Sequence, residues 1–272
     1  MGPWILGLLR YTLQLLLLTL GVVVACGFAV RLCAILFARL MGHRSHAVFD
    51  ITAAIGTPVH ELGHAMMCPI FRHRITDIKL WSPRAENGVY GYVTHSYNPK
   101  NLWARLGNLF IGLGPIFSGL AVVVLSLWLC FPTQWASYLA TSNILVDKVT
   151  TAQNIVEGVF SLLISLPAAF AGSDWWRPLI GLLVILPVSL HISLSVADIK
   201  GSLGAFPLYL LLVFLFALIT MLLGLPTVIL SGLYLFNLRI LSLFCLVVAF
   251  AAVWVVIALI VRLFRTLIGL IF

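Results

Sequence analysis

Charge is the scarcest property of this chain. Asp and Glu number 8, Lys and Arg 16, and charged residues make up 9% of its 272 positions. Soluble domains carry about 25%, so water is not the main solvent of this protein. Cysteine is sparse as well: Cys26, Cys33, Cys68, Cys130 and Cys245 are scattered, mostly in apolar runs, and form no C-x-x-C pair. That spacing supports neither a disulfide framework nor a thiolate zinc ribbon. No internal repeat or low-complexity linker divides the sequence, which reads as a single membrane domain over residues 1–272.

Apolar residues, at 62%, are what the chain has in excess. A helix crossing the hydrocarbon layer needs about 20 mostly apolar residues, and several runs reach that length. The expected fold class is all-α integral membrane, with about six transmembrane helices and a small β-hairpin between the second and third spans. The first run, 11–37, has no convincing cleavage site after it and reads as a retained span. Arg31 interrupts it, either snorkelling to an interface or pairing with a polar group. The second run, 48–71, leads into the longest polar stretch, 72–101. There, 75–80 and 89–94 are rich in β-branched and aromatic residues and are separated by a turn over Pro83–Gly88, the pattern of a hairpin.

Further spans are expected at 102–131, 178–199, 206–223 and 241–264. The apolar piece 155–170 is short for a span and reads as interfacial or re-entrant. Trp81, Trp103, Trp175 and Trp176 suit interfacial anchors at span ends. The net charge of +8 is read as loop orientation rather than nucleic-acid binding. With both termini cytoplasmic, Arg72, Arg74, Lys79, Lys100 and Arg105 gather on the inner side, as the positive-inside rule favours.

The second run carries His60-Glu61-Leu62-Gly63-His64. Residues four apart on a helix project from nearly one face, so two neutral imidazoles can hold one zinc ion (Zn2+). Glu61 is then placed to act as general base toward a water that the metal makes acidic. Ionisable residues in an apolar helix cost roughly 2.5–3.5 kcal/mol each on insertion scales, so three within five positions imply a functional site.

A catalytic zinc needs a third protein ligand, and eight acidic residues can be sorted by position. Asp50 reads as a helix cap. Asp77 and Glu86 fall in the hairpin region, and Asp147, Glu157 and Asp174 in the polar-to-amphipathic stretch. Only Asp198, besides Glu61, ends an apolar span, and it is the preferred third ligand; pairing with Lys200 at the water interface is the other reading. His191 and Ser195 share roughly one helical face with Asp198, which makes a polar stripe that could line the same cavity and leaves His191 as an alternative ligand. Cys68, one turn beyond His64, reads as an apolar-site cysteine, and His73 and His95 as solvated loop residues.

Three features, in order, resemble the site-2 protease family of intramembrane zinc metalloproteases. They are the apolar helix bearing His60-Glu61-Leu62-Gly63-His64-Ala65, the β-rich segment ending in Gly91-Tyr92-Val93 before a helix with Gly112-Leu113-Gly114-Pro115-Ile116-Phe117-Ser118, and Asp198 late in a later span. Ser118 stands where the family carries Asn. The resemblance covers roughly 48–201 as a catalytic core, with 1–47 and 202–272 as additional spans. It implies zinc held by His60, His64 and Asp198, and hydrolysis of peptide bonds in a membrane protein or peptide within or beside the lipid bilayer. It also implies an extended substrate paired with the β segment, with Ser118, Ser195 and His191 as candidate substrate or supporting contacts. Two other functions fit the same residues: a zinc-dependent membrane hydrolase acting on a lipid or small amphiphile, and an inactive membrane homologue with a scaffold or transport role.

Overall fold

The computed structural model describes residues 2–83, 89–142 and 152–271. Glu86, Asp147 and most of the Pro83–Gly88 turn lie outside them. The described chain is helical apart from one small sheet. It runs α1 (Gly2–Leu16), a π-helical turn (Leu17–Gly21), α2 (Val22–Met41), α3 (Arg44–Ile70), β1 (Arg74–Lys79), β2 (Tyr92–Ser96), α4 (Leu102–Cys130), α5 (Pro132–Thr141), α6 (Ala152–Ser165), a 3-10 turn (Leu166–Ala171), α7 (Trp176–His191), α8 (Val196–Leu203), α9 (Phe206–Leu222) and α10 (Pro226–Ile271).

Among the described residues, four segments are long and apolar enough to cross a membrane: Gly2–Met41, Leu102–Cys130, Gln153–Ala171 and Pro226–Ile268; the bent pair α7 and α8 would make a fifth. The six expected spans are therefore revised. The expected second span is a helix, α3, but its polar residues take it out of the apolar set. The piece 155–170, expected to be too short, consists of α6 running on into the 3-10 turn, and together they reach 19 residues, Gln153–Ala171. α9 has 17 residues, short of a span. The expected sixth span is the middle of α10, whose 46 residues extend about 69 Å at 1.5 Å per residue.

The expected hairpin is present. β1 and β2 pair antiparallel, with Arg74 opposite Ser96 and Lys79 opposite Tyr92, and an irregularity between Ile75 and Asp77. Thr76 is the extra residue of this bulge, and its hydroxyl lies 3.0 Å from that of Thr94. The return to helix is set by Asn101, whose side chain accepts from the backbone N–H groups of Trp103 and Ala104, satisfying donors that a helix start leaves open.

Packing centres on α3, α4 and α7, which contact one another, with α2 and α10 laid against them. The largest apolar cluster includes Val123, Leu127, Phe131, Tyr138, Ile185, Phe250 and Ala251. α3 and α4 meet backbone to backbone: a Cβ on Gly63 would lie 2.5 Å from the carbonyl carbon of Gly114, and one on Gly114 would lie 2.3 Å from the oxygen of Gly63. No larger residue fits at either position. The outward faces are also apolar, with Leu6 69% and Leu222 70% exposed.

The expected span 178–199 is the main departure. It breaks after His191, and α8 leaves α7 at 57°. His191, Ser195 and Asp198 are thus not a stripe on one helix: His191 ends α7, Ser195 caps α8, and Asp198 lies in its first turn. Ser193 and Ser195 supply side chains that compete with helical backbone bonds, and Ser195 does so here.

Candidate metal centre

His60 and His64 lie one turn apart on α3, with ring centroids 5.0 Å apart. Each ring is held by a backbone carbonyl. His60 Nδ1 is 2.9 Å from the oxygen of His191, and His64 Nδ1 is 2.7 Å from that of Ile111. A carbonyl only accepts, so both Nδ1 atoms carry the proton, and in the neutral ring each Nε2 is left with a free lone pair. Orientation through the second ring nitrogen is the usual support of a metal-binding histidine.

Both carbonyls are available because a helix is interrupted. Ile111 would bond the N–H of residue 115, but Pro115 has none. His191 would bond the N–H of Ser195, but α7 ends there and Ser195 N–H donates instead to Asp198 Oδ2, at 2.8 Å. Ser195 Oγ in turn accepts from Asp198 N–H at 3.0 Å. This reciprocal capping box fixes the aspartate at the mouth of the break.

The capped aspartate faces the histidines. Asp198 Oδ1 is 3.1 Å from His64 Nε2, and Oδ2 is 3.7 Å from His60 Nε2. All three donor atoms lie within 4.8 Å of one another. Ligands about 2.0–2.1 Å from a tetrahedral zinc are about 3.3 Å apart, a spacing these two distances bracket. Two imidazole nitrogens and one carboxylate oxygen therefore stand close enough together that they could hold a metal ion, which would leave a fourth position open. Among the described residues, the ion-pair contacts of Asp198 run to the histidines and not to Lys200.

His191 contributes through its backbone rather than its ring. The Thr52 hydroxyl donates to the carbonyl of Val48, 2.7 Å away, and accepts from His191 Nε2 at 2.9 Å. The ring borders the cleft but stands outside the ligand group. Ser118 donates to the carbonyls of Val59, at 2.8 Å, and Pro115, at 3.1 Å. Its hydroxyl therefore serves the α3–α4 contact, and the residue does not line the cleft. Cys68 is fully buried and outside the metal group.

His60, His64, Asp198 and Glu61 open into a cleft of about 660 Å³. Glu61 is 7% exposed, and the strand segment leading into β2 passes over it. A Cβ on Gly91 would lie 2.9 Å from Glu61 Cγ and 2.8 Å from the carbonyl oxygens of Lys79 and Leu80. Val93 and His95, two apart and so on one face of β2, also line the cleft. At one end the segment is tied down by Tyr90, whose hydroxyl donates to Asp50 Oδ1 at 2.6 Å. Burial, and then the Asp50 carboxylate, push the Tyr90 phenol up to about 12. Asp50 is thus a strand anchor inside α3, not the helix cap expected from its position.

His73 and His95 are also revised. His73 is 6% exposed, stacks on Tyr97, and its Nε2 donates to the carbonyl of Ala104 at 2.7 Å. Its Nδ1 must then accept from His95 Nδ1, 2.9 Å away. This chain leaves His95 Nε2 as the proton-free nitrogen. Burial, with smaller contributions from His73 and His64, holds the His95 imidazole below its ordinary value. Nothing in the local sequence points to these partners. For His64 there is one sequence signal, Pro115, since a proline inside a helix frees the carbonyl four residues earlier, here that of Ile111.

Comparison of the chain with protein-family models, with curated protein sequences and with solved structures finds no match.

Proposed function

We propose that this protein is a membrane-embedded zinc metalloprotease that hydrolyses peptide bonds of substrates lying in or beside the bilayer. The observation that carries this reading is the convergence of His60, His64 and Asp198 next to Glu61 in an open cleft. Long apolar helices with exposed leucines favour a lipid setting for it.

His60 Nε2, His64 Nε2 and one Asp198 oxygen would hold the ion. A zinc ion there would supply Lewis acidity, which would make water nucleophilic at neutral pH. Hydrolysis consumes one water: a C–O bond forms, the amide C–N bond breaks, and the nitrogen leaves as an amine. The Glu61 carboxylate takes the water's proton and returns it to that nitrogen. The backbone beside Gly91 and β2 offers an edge for an extended substrate, which places a scissile carbonyl over Glu61 only where the substrate helix has unwound.

The test is metal content together with cleavage. Purified protein should hold about one zinc per chain. Glu61→Gln should keep the metal while cleavage of a membrane-spanning peptide falls by about 10²–10⁴-fold, as for loss of a general base. A zinc-free protein, or Glu61→Gln with undiminished cleavage, would overturn the reading.

A further inference from the structure

Arg31 is the one charged residue between Arg10 and Arg39, in the middle of α2. A cation there costs roughly 2.5–3.5 kcal/mol on insertion scales if the helix spans a membrane, so its position calls for a specific partner. That partner is the α7–α8 break. Arg31 Nη1 donates to the carbonyl oxygen of Leu194, the residue immediately before the Ser195 cap. One turn earlier on α2, Gly27 brings the helix against the same segment: a Cβ there would lie 3.0 Å from Leu194 Cδ1 and 2.6 Å from Ile116 Cδ1. Leu194 itself is 3% exposed.

The break needs such support. Between His191 and Val196 the backbone follows no helix, so its polar groups must be met from outside. His60 meets the carbonyl of His191, and the Asp198 carboxylate meets the N–H of Ser195. The carbonyl of Leu194 is met by Arg31, from a helix outside the 48–201 core. If the segment rewound into a continuous helix, Ser195 N–H would return to His191, and both the carbonyl holding His60 and the orientation of Asp198 would be lost together.

We propose that Arg31 is a positioning residue of the metal centre: from outer helix α2 it holds the α7–α8 break open, and so sets the aim of Asp198 and the orientation of His60. The outer helix is then part of the site and not an addition to it, and any displacement of α2 changes metal affinity. This inference rests on His60, His64 and Asp198 binding a metal.

Cobalt(II) titration of the full chain in detergent tests it, because the visible absorption of cobalt reports its ligand set. Wild type should bind about one Co2+, and His60→Ala should lose it. Arg31→Gln and Arg31→Met should bind Co2+ up to about tenfold more weakly, the low end of the loss for an outer partner of a metal ligand, because Arg31 acts one step further out. They should also show an altered visible spectrum and faster amide exchange over residues 192–199, with helix content by circular dichroism unchanged. Arg31→Lys, which keeps the cation but not the planar fork, should fall between. Neutral variants with wild-type affinity and spectrum would overturn the proposal. If they do not fold, Arg31→Lys decides, and wild-type affinity in it overturns the proposal equally. Wild type that binds no Co2+, or His60→Ala that binds it as well as wild type, would instead overturn the metal reading on which the inference rests.

Discussion

Pro115 and His64 are joined through an atom that belongs to neither: the carbonyl oxygen of Ile111 lies 2.7 Å from His64 Nδ1, and it is open because Pro115 cannot donate to it. The proline removes a helical hydrogen bond in α4, and the freed acceptor fixes the tautomer of His64 on α3. Gly63 and Gly114 make this possible by letting the two backbones touch.

Pro115→Ala should therefore separate stability from metal binding. Alanine supplies the missing N–H and removes an interior proline, a change worth up to about 3 kcal/mol in helix propensity. The Ile111 carbonyl then has two competing donors. The expected outcome is a thermal midpoint no lower than wild type, with zinc affinity about tenfold weaker, read by competition with a chelating dye. Unchanged affinity would mean that the carbonyl does not orient His64.

How much of this was legible beforehand differs by residue. His60, Glu61 and His64 could be read directly because helical spacing alone puts them on one face. Asp198 stands out because the chain has only 8 acidic residues to choose from. The break before it has one local mark, the capping-box spacing of Ser195 and Asp198; Ile192-Ser193-Leu194-Ser195 is otherwise apolar enough to continue a helix, and tertiary partners (the His60 ring and the Arg31 guanidinium) add to what the cap supplies. The roles of Asp50, His73 and His95 were missed for a similar reason. Each depends on a partner far along the chain that only the folded hairpin brings close.

Ser195→Ala tests the capping box. The hydroxyl satisfies the N–H of Asp198, and loss of an N-cap side chain costs about 1 kcal/mol. The larger effect should fall on the metal, since Asp198 loses one of the two bonds that aim it. Zinc affinity is expected to fall by up to about tenfold, with only a small drop in thermal midpoint. Equal affinity in the variant would show that the bond from Ser195 N–H to Asp198 is sufficient by itself.

Gly91→Ala tests the strand over the cleft. A methyl group there meets two carbonyl oxygens at 2.8 Å and Glu61 Cγ at 2.9 Å, so the strand must lift or the glutamate must turn. Metal content should stay at the wild-type level because none of the three ligands moves. Peptide cleavage should fall at least tenfold, mainly in kcat if Glu61 is displaced and mainly in KM if the strand edge is. Wild-type cleavage would exclude close passage of this strand over Glu61.

The pH dependence of the hairpin follows from His95. Its folded-state value lies below the ordinary imidazole value near 6.5, so between the two values the unfolded chain binds more protons than the folded one. By linkage, stability rises with pH through that window. The contribution is complete above about 6.5, is lost as pH falls below it, and levels off beneath the folded value. Ring NMR of His95 in micelles should show titration below 6.5, and thermal midpoints measured from pH 7.5 down to 5 should fall less steeply in His95→Gln than in wild type. Titration of His95 above 6.5 would overturn this sign: donation from its Nδ1–H to His73, which favours the charged ring, would then outweigh the cost of burial.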